Sequence, residues 1–162
     1  MANRDHAYET RLDWEGETGE GTARYDGYSR RYRLRIAGKP DLAGSADPAF
    51  RGEAGLHNPE DLLVGSIAAC HMLTYLALCA RNGVSVQSYG DSSTGILRLD
   101  GEGGGRFEEV TLRPAVAILD ESQSDLALKL HERAHELCFV ARSCNFPIRC
   151  EPRIEPASDG SA

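Results

Sequence analysis

A long uncharged run is the feature that most constrains this chain. Leu62 to Ala80 contains no Asp, Glu, Lys or Arg, and it lies within the segment NPEDLLVGSIAACHMLTYLALCARNG. Asn58 is a favoured N-cap and Pro59 suits the first helical position, while Asn82-Gly83 is a typical stop signal. The segment therefore predicts one long helix that is apolar on all sides and must be buried on all sides.

Burial of such a helix requires either a bilayer or a protein core. The run is close to the roughly 20 residues that cross a membrane, but Gly65, Ser66, His71 and Thr74 weaken it. It is also the only run of its kind in a chain of which 27% is charged. We therefore predict a central core helix, completed by a second subunit, and no membrane partner.

Length and charge narrow the class of protein further. The 162 residues predict one domain over residues 1–156, followed by a polar tail over 157–162 that we expect to be disordered. A net charge of −7 argues against nucleic acid as a partner. The sequence begins without an apolar signal segment, which predicts a cytoplasmic location. Five widely spaced cysteines are then not a disulfide scaffold.

The rest of the chain shows mostly strand periodicity, with one further helical stretch. A helix is expected from Ser122 or Ser124 to Cys138, and Gly38 to Leu56 is expected to be a loop. Alternating apolar and polar residues predict strands at Tyr8–Trp14, Arg31–Ile36, Val84–Tyr89, Gly95–Leu99, Val110–Ile118 and Pro147–Ile154. This order predicts an α+β fold with antiparallel sheet.

Metal and hydrolytic chemistry are both poorly supported by spacing. His71 and Cys70 are adjacent, so on a helix they point about 100° apart and do not share a face. Cys138, Cys144 and Cys150 are separated by six residues each, unlike the short pairs that hold zinc. No motif surrounds the histidines that a Cys-His nucleophile requires. We therefore expect no metal ligands and no cofactor.

Thiol redox chemistry needs residue types that the chain does supply. A thiol, with a reference pKa of ~8.5, must be held as thiolate, which a nearby guanidinium favours. A carboxylate must position that guanidinium. A second thiol must capture the sulfenic acid before it oxidises further. Glu60 lies ten residues before Cys70, or ~15 Å along a helix axis, so an Arg from the preceding loop fits between them.

Two segments resemble a known family. NPEDLLVGSIAACHM resembles the signature of the osmotically inducible protein C and organic hydroperoxide resistance (OsmC/Ohr) family, in which Asn-Pro-Glu opens the long helix and the peroxidatic cysteine follows ten residues after the Glu. AHELCFVARSCNFPI is similar to the region that holds the family's resolving cysteine. By this match Cys70 is the peroxidatic cysteine, Cys138 the resolving cysteine and Glu60 the positioning carboxylate.

The resemblance implies a fold, an assembly and a reaction. It implies an OsmC-like antiparallel sheet around the long central helix, in an intertwined, swapped homodimer with active sites at the interface. It also implies a thiol peroxidase that reduces organic or lipid-like hydroperoxides through a Cys70 sulfenate and a Cys70–Cys138 disulfide. An external dithiol, possibly a lipoylated protein, would restore both thiols without metal or flavin.

Several assignments stay open from the sequence. Arg51, in the loop just before the helix motif, is the first choice for the active-site arginine, and Arg24 is the second. Cys144 competes with Cys138 as the resolving cysteine, and Phe139 stands where the family often has Pro. A non-catalytic dimer of the same fold that binds apolar ligands is the alternative function, and a metal-binding regulator is a further one.

Overall fold

The computed structural model describes residues 5–156 and divides the chain into two compact units. The first unit ends at Leu62 and the second begins at Leu63. The α+β fold class is confirmed, since both units contain helix and sheet. The assignment of residues 1–156 to one domain stays a prediction, and the tail over residues 157–162 lies outside the described residues.

The first unit is built on a three-stranded antiparallel sheet. Its strands are β1 (Arg11–Trp14), β2 (Tyr32–Arg35) and β3 (Leu42–Gly44), in that order. Strand β3 lies in the segment predicted to be a loop. The sequence does not reveal this strand, because three residues are too few to show an alternating pattern. Gly44 pairs with Tyr32, and a Cβ on Gly44 would lie 2.2 Å from the tyrosine ring, so only glycine lets that ring cross the strand.

The loop after β3 leads into the long helix. A short 3₁₀ helix, Pro48–Phe50, begins where the Asp47 carboxylate accepts a hydrogen bond from the Ala49 N–H (2.7 Å) and ends at Arg51, whose φ is 66°. Helix α1, Pro59–Arg81, begins where the Asn58 side chain accepts a hydrogen bond from the Asp61 N–H (2.7 Å). The predicted N-cap is therefore confirmed.

Helix α1 buries only one stripe, which corrects the expectation of burial on every side. The stripe recurs every four residues, at Ile67, His71, Tyr75 and Cys79, whereas Leu73 is 63% exposed. By length and composition this helix is able to cross a membrane, but a single such helix is weak evidence, because core helices of soluble proteins pass the same test. Much of its apolar surface thus has no cover within the described chain.

The second unit adds two three-stranded sheets. One sheet has the order β4–β7–β9 and the other β5–β6–β8. Its strands are β4 (Val86–Asp91), β5 (Thr94–Leu99), β6 (Gly105–Leu112), β7 (Pro114–Ile118), β8 (Ile148–Cys150) and β9 (Arg153–Pro156). The turn between β5 and β6, residues 100–104, is rich in glycine.

Two segments predicted as single strands are each split in two. The chain leaves one sheet after β6, breaks at Arg113 and enters the other sheet as β7. Strands β8 and β9 change sheets in the same way, because β8 pairs with β6 and β9 pairs with β7. Strands β8 and β9 therefore run parallel to β6 and β7, while the other described pairings are antiparallel. Pro114 begins β7, where its missing N–H breaks the ladder least.

Helices α2 (Ser124–Leu137) and α3 (Phe139–Arg142) complete the second unit. Tyr75 and Cys79 of α1 pack in one buried cluster with residues of α2 and β7, namely Ala127, Leu130, Ala134, Val116 and Ile118. Ile67 packs in a second cluster with Val110 and Leu112 of β6. Residues near the middle of α1 are therefore fixed against α2 and both sheets, which positions Cys70.

Candidate active site

The two cysteines singled out from the sequence lie together in the second unit. Cys70 is at the middle of α1 and is half-buried, whereas Cys138 is fully buried at the junction of α2 and α3. Both are free thiols. Burial, followed by the neighbouring Cys70 thiol, raises the pKa of Cys138 to about 11. Residues that are far apart in sequence thus form one thiol pair.

The end of α2 determines where the Cys138 sulfur lies. Cys138 has φ −66° and ψ 112°, which ends α2, and its Sγ accepts a hydrogen bond from the Ala141 N–H (3.5 Å) at the start of α3. A cysteine in an N-cap position holds its sulfur over the first turn of the following helix. The position of the thiol is therefore set by the backbone conformation of Cys138 and by the hydrogen bond from Ala141.

Cys144, the other candidate for the resolving cysteine, lies in a different environment from Cys138. Its thiol donates to the Val140 carbonyl (3.3 Å), and burial raises its pKa. Cys79 is buried in the core among apolar residues. Among the described residues, the structure brings Cys138 to Cys70.

The predicted carboxylate lines a pocket within the first unit. Glu60 stands in the first turn of α1, and its Oε2 is buried with no hydrogen-bond partner in the described chain. The pocket has a volume of about 330 Å³, and its lining includes four aromatic side chains, Trp14, Tyr28, Tyr32 and Phe50. It combines an apolar wall with one buried carboxylate oxygen, which is typical of a small-molecule site.

The arginine that lines this pocket is Arg30, which the sequence analysis did not single out. Its guanidinium lies over the rings of Tyr25 (4.6 Å) and Tyr28 (4.0 Å) and donates to both backbone carbonyls (2.5 Å each). Such stacking holds a guanidinium in one orientation. Arg30 was missed because it directly precedes the alternating arginines of the predicted strand, at Arg31, Arg33 and Arg35, and no motif marks it.

The two arginines proposed from the sequence lie elsewhere in the first unit. Arg24 is exposed and forms an ion pair with Asp26 (2.9 Å). Arg51 is exposed at the end of the 3₁₀ helix, next to Phe50 of the pocket wall. Arg51 as the active-site arginine stays a prediction.

A second polar cluster, in the second unit, was also missed. His71 Nε2 lies 3.1 Å from His131 Nδ1 and 3.5 Å from Cys150 Sγ. Burial, and then the nearby His135, lowers the pKa of His71 to about 4, and burial lowers that of His131 to about 3. Burial raises the pKa of Cys150 to about 12. All three groups are therefore neutral near pH 7. Their sequence spacing carries no signal, because three separate elements bring them together.

Comparison with known proteins places the chain in a family. The OsmC-like protein family matches residues 52–153, which include Glu60, Cys70 and Cys138. The chain belongs to the OsmC-like family. The resemblance read from the two cysteine segments is thereby confirmed.

Individual relatives agree with this assignment. An uncharacterized protein of Bacillus subtilis, YmaD, is 32% identical over 103 residues, which cover 60% of this chain and 68% of YmaD. An OsmC-like protein of unknown function from Vibrio cholerae, VCA0330, is 27% identical with a TM-score of 0.83, covering 92% of this chain and all of the other.

Solved OsmC-like structures also include proteins named for hydroperoxide resistance. An organic hydroperoxide resistance protein from Legionella pneumophila is 18% identical, with a TM-score of 0.63, and covers 93% of this chain and 99% of that one. At this identity the likeness shows a shared fold. The predicted OsmC-like fold is therefore confirmed.

Proposed function

We propose that this OsmC-like protein is a cysteine-based peroxidase that reduces organic hydroperoxides to alcohols. The observation that carries the proposal is the pairing of Cys70 with Cys138, which joins the middle of α1 to the end of α2. A non-catalytic protein of the same fold has no need to bring two thiols together. Family membership and the names of several structural relatives support the same class of reaction.

The reaction needs two thiols that act in sequence. The Cys70 thiolate attacks the terminal oxygen of the hydroperoxide, the O–O bond breaks, and the alkoxide leaves as the alcohol after taking a proton. The resulting Cys70 sulfenic acid is attacked by the Cys138 sulfur, which forms the disulfide and releases water. An external dithiol then reduces the disulfide by thiol exchange and is itself oxidised. No metal is required.

The burial of the two cysteines supports the proposed order in which they react. Cys70 is half-buried and accessible to a substrate, whereas Cys138 is fully enclosed and its pKa is raised. A buried thiol with a raised pKa is a poor first nucleophile, since the thiolate is the reactive form. The same thiol is well suited to capture a sulfenic acid beside it. We therefore assign the attack to Cys70 and the resolution to Cys138.

The aromatic pocket of the first unit supports the proposed substrate class. Aromatic walls favour the hydrocarbon part of an organic hydroperoxide, whereas hydrogen peroxide gains nothing from them. We propose that Glu60, together with an arginine, orients the peroxide at one end of this wall. Arg30 is the stronger candidate, because it lines the pocket with Glu60, and Arg51 remains the alternative from the sequence.

Replacing Arg30 by methionine is expected to lower kcat/KM for an organic hydroperoxide by about 100-fold, as when one preorganised donor is lost. Arg30→Lys should recover part of the rate, since lysine keeps the positive charge but lacks the planar guanidinium with its paired hydrogen-bond donors. The matched variant is Arg51→Met, for which we expect less than about a tenfold change in rate. The reverse ranking of the two variants would reject Arg30 and assign the role to Arg51.

The assembly is proposed to be the swapped homodimer that the family resemblance implies. The unburied face of α1 supports it, because Leu73 is 63% exposed within the uncharged run of this helix. Leu73→Glu should therefore weaken the dimer by about 100-fold, measured by sedimentation, since burying a charge is costly. Leu119→Glu is the control, because Leu119 is 62% exposed directly after β7, outside helix α1. An unchanged Leu73→Glu dimer would contradict this interface.

The proposed function is tested by turnover of the purified, reduced wild-type protein. Cumene hydroperoxide and hydrogen peroxide are supplied separately, with a dithiol such as dihydrolipoamide as reductant. We expect steady-state consumption of the organic hydroperoxide, with a higher kcat/KM than for hydrogen peroxide. Loss of no more peroxide than in a protein-free control would support the alternative of a non-catalytic dimer that binds apolar ligands.

A further inference from the structure

We propose that His71, His131 and Cys150 form a binding site for a borderline-soft divalent metal ion, of which Zn²⁺ is the representative. The site is distinct from the thiol pair of Cys70 and Cys138. Its three donor atoms lie within 4.8 Å of one another, on α1, α2 and β8 of the second unit. Imidazole nitrogen and thiolate sulfur are the ligands that zinc prefers.

Two of the three separations between donor atoms are close to those of tetrahedral coordination, and the third lies within 4.8 Å. Zinc–nitrogen bonds of ~2.0–2.1 Å and a zinc–sulfur bond of ~2.3 Å place two nitrogens about 3.3 Å apart and a nitrogen about 3.6 Å from the sulfur. The observed separations from His71 Nε2 are 3.1 Å to His131 Nδ1 and 3.5 Å to Cys150 Sγ. Ligation therefore needs side-chain shifts of a few tenths of an ångström at these two contacts.

The charges around the cluster favour a cation. The Asp91 carboxylate interacts electrostatically with both His71 and Cys150, and its Oδ2 is buried with no hydrogen-bond partner in the described chain. Its other oxygen accepts from Ser93 and from the Arg113 N–H (2.8 Å each). A divalent ion bound by one thiolate beside this carboxylate is electrically balanced, whereas the unoccupied cluster leaves the carboxylate uncompensated.

Burial and ring stacking restrict the imidazoles of the cluster. Their second ring nitrogens, His71 Nδ1 and His131 Nε2, are buried with no hydrogen-bond partner in the described residues. The Tyr75 ring stacks on His131 at 3.7 Å between ring centres, which holds that imidazole against rotation.

A route to the site exists from solvent. A pocket of about 580 Å³ is lined by His131 and Cys150, together with His135 and the carboxylates of Glu132 and Glu136. Acidic side chains at a pocket mouth attract divalent cations. Three protein ligands leave the fourth position of the ion for water or a small molecule, which is the arrangement of an open rather than a closed zinc site.

Cobalt(II) titration of the reduced, chelator-treated wild-type protein tests the site. We expect one equivalent of Co²⁺ per chain, with the near-ultraviolet charge-transfer band of a cobalt–thiolate bond, and displacement of that band by Zn²⁺. Absence of stoichiometric cobalt binding, or of the thiolate band, overturns the proposal. This measurement needs no variant and does not depend on peroxidase activity.

Variants then identify which thiol holds the ion. Cys150→Ser should abolish the band, while Cys144→Ser, which alters another half-buried thiol, should retain it. Asp91→Asn should weaken binding by about 10–100-fold, as expected for an outer partner. Cys70→Ser should retain the band, because the site does not rest on the proposed reaction. A band that persists in Cys150→Ser but is lost in Cys70→Ser would place the ion on the Cys70–Cys138 pair and overturn the proposal.

Discussion

Cys70→Ser is expected to abolish turnover of organic hydroperoxides, leaving only the protein-free rate. The physical reason is that a serine hydroxyl is neither ionised near pH 7 nor soft enough to attack an O–O bond, whereas a thiolate is. The side chains differ by one atom and Cys70 is only half-buried, so the fold should tolerate the change. The measurement is steady-state loss of cumene hydroperoxide with excess dithiol.

The matched control for this variant is Cys79→Ala. Cys79 lies two and a half turns further along α1 and is buried in the apolar core, away from the thiol pair. It should keep full turnover per folded molecule, with a modest loss of stability from the smaller side chain. Steady-state turnover retained by Cys70→Ser would exclude Cys70 as the nucleophile and with it the proposed mechanism.

Cys138→Ser should consume one equivalent of hydroperoxide per chain in a fast burst, then a second equivalent more slowly, and then stop. Without the neighbouring thiol, the Cys70 sulfenic acid has no partner and is exposed to a second hydroperoxide, which oxidises it to the sulfinic acid. Rapid mixing should therefore show a single burst. Mass spectrometry of the Cys70 peptide should then show a gain of two oxygen atoms, where the wild-type protein shows a disulfide to Cys138.

Cys144→Ser is the control for the resolving step. Its thiol donates to the Val140 carbonyl, and the structure places Cys138 rather than Cys144 beside Cys70, so turnover should be unchanged. A burst in Cys144→Ser together with normal turnover in Cys138→Ser would exchange their roles. Normal turnover in both variants would mean that the external reductant attacks the sulfenic acid directly.

The proposed peroxidase reaction and the proposed metal site use different faces of helix α1. Cys70 and His71 are neighbours, but their side chains leave the helix about 100° apart. His71 joins the buried stripe that recurs every four residues, while Cys70 lies off that stripe and is half-buried. One helix is thus able to present a thiol to one environment and an imidazole to another. From the sequence, this divergence excluded only a site shared by the two residues.

Local patterns determined a large part of the fold from the sequence. The Asn58 cap and the Gly83 stop fixed the ends of α1, since both depend on backbone groups within a few residues. The break at Arg113 was not predictable in the same way. Apolar alternation continues through Val110–Ile118, and only the packing of two separate sheets decides that the chain changes sheet there.

The residues of the candidate site also differ in whether the sequence reveals them. Cys70 and Glu60 were found because they lie ten residues apart on one helix, and Cys138 because its segment resembles a known family. Arg30 and the cluster of His71, His131 and Cys150 were not found, because neither has a characteristic spacing. Helix capping and apolar periodicity can be predicted from the sequence, because they depend on residues that are close together along the chain. Contacts between residues 60 or more positions apart depend on how helices and sheets pack, and only the tertiary structure decided them.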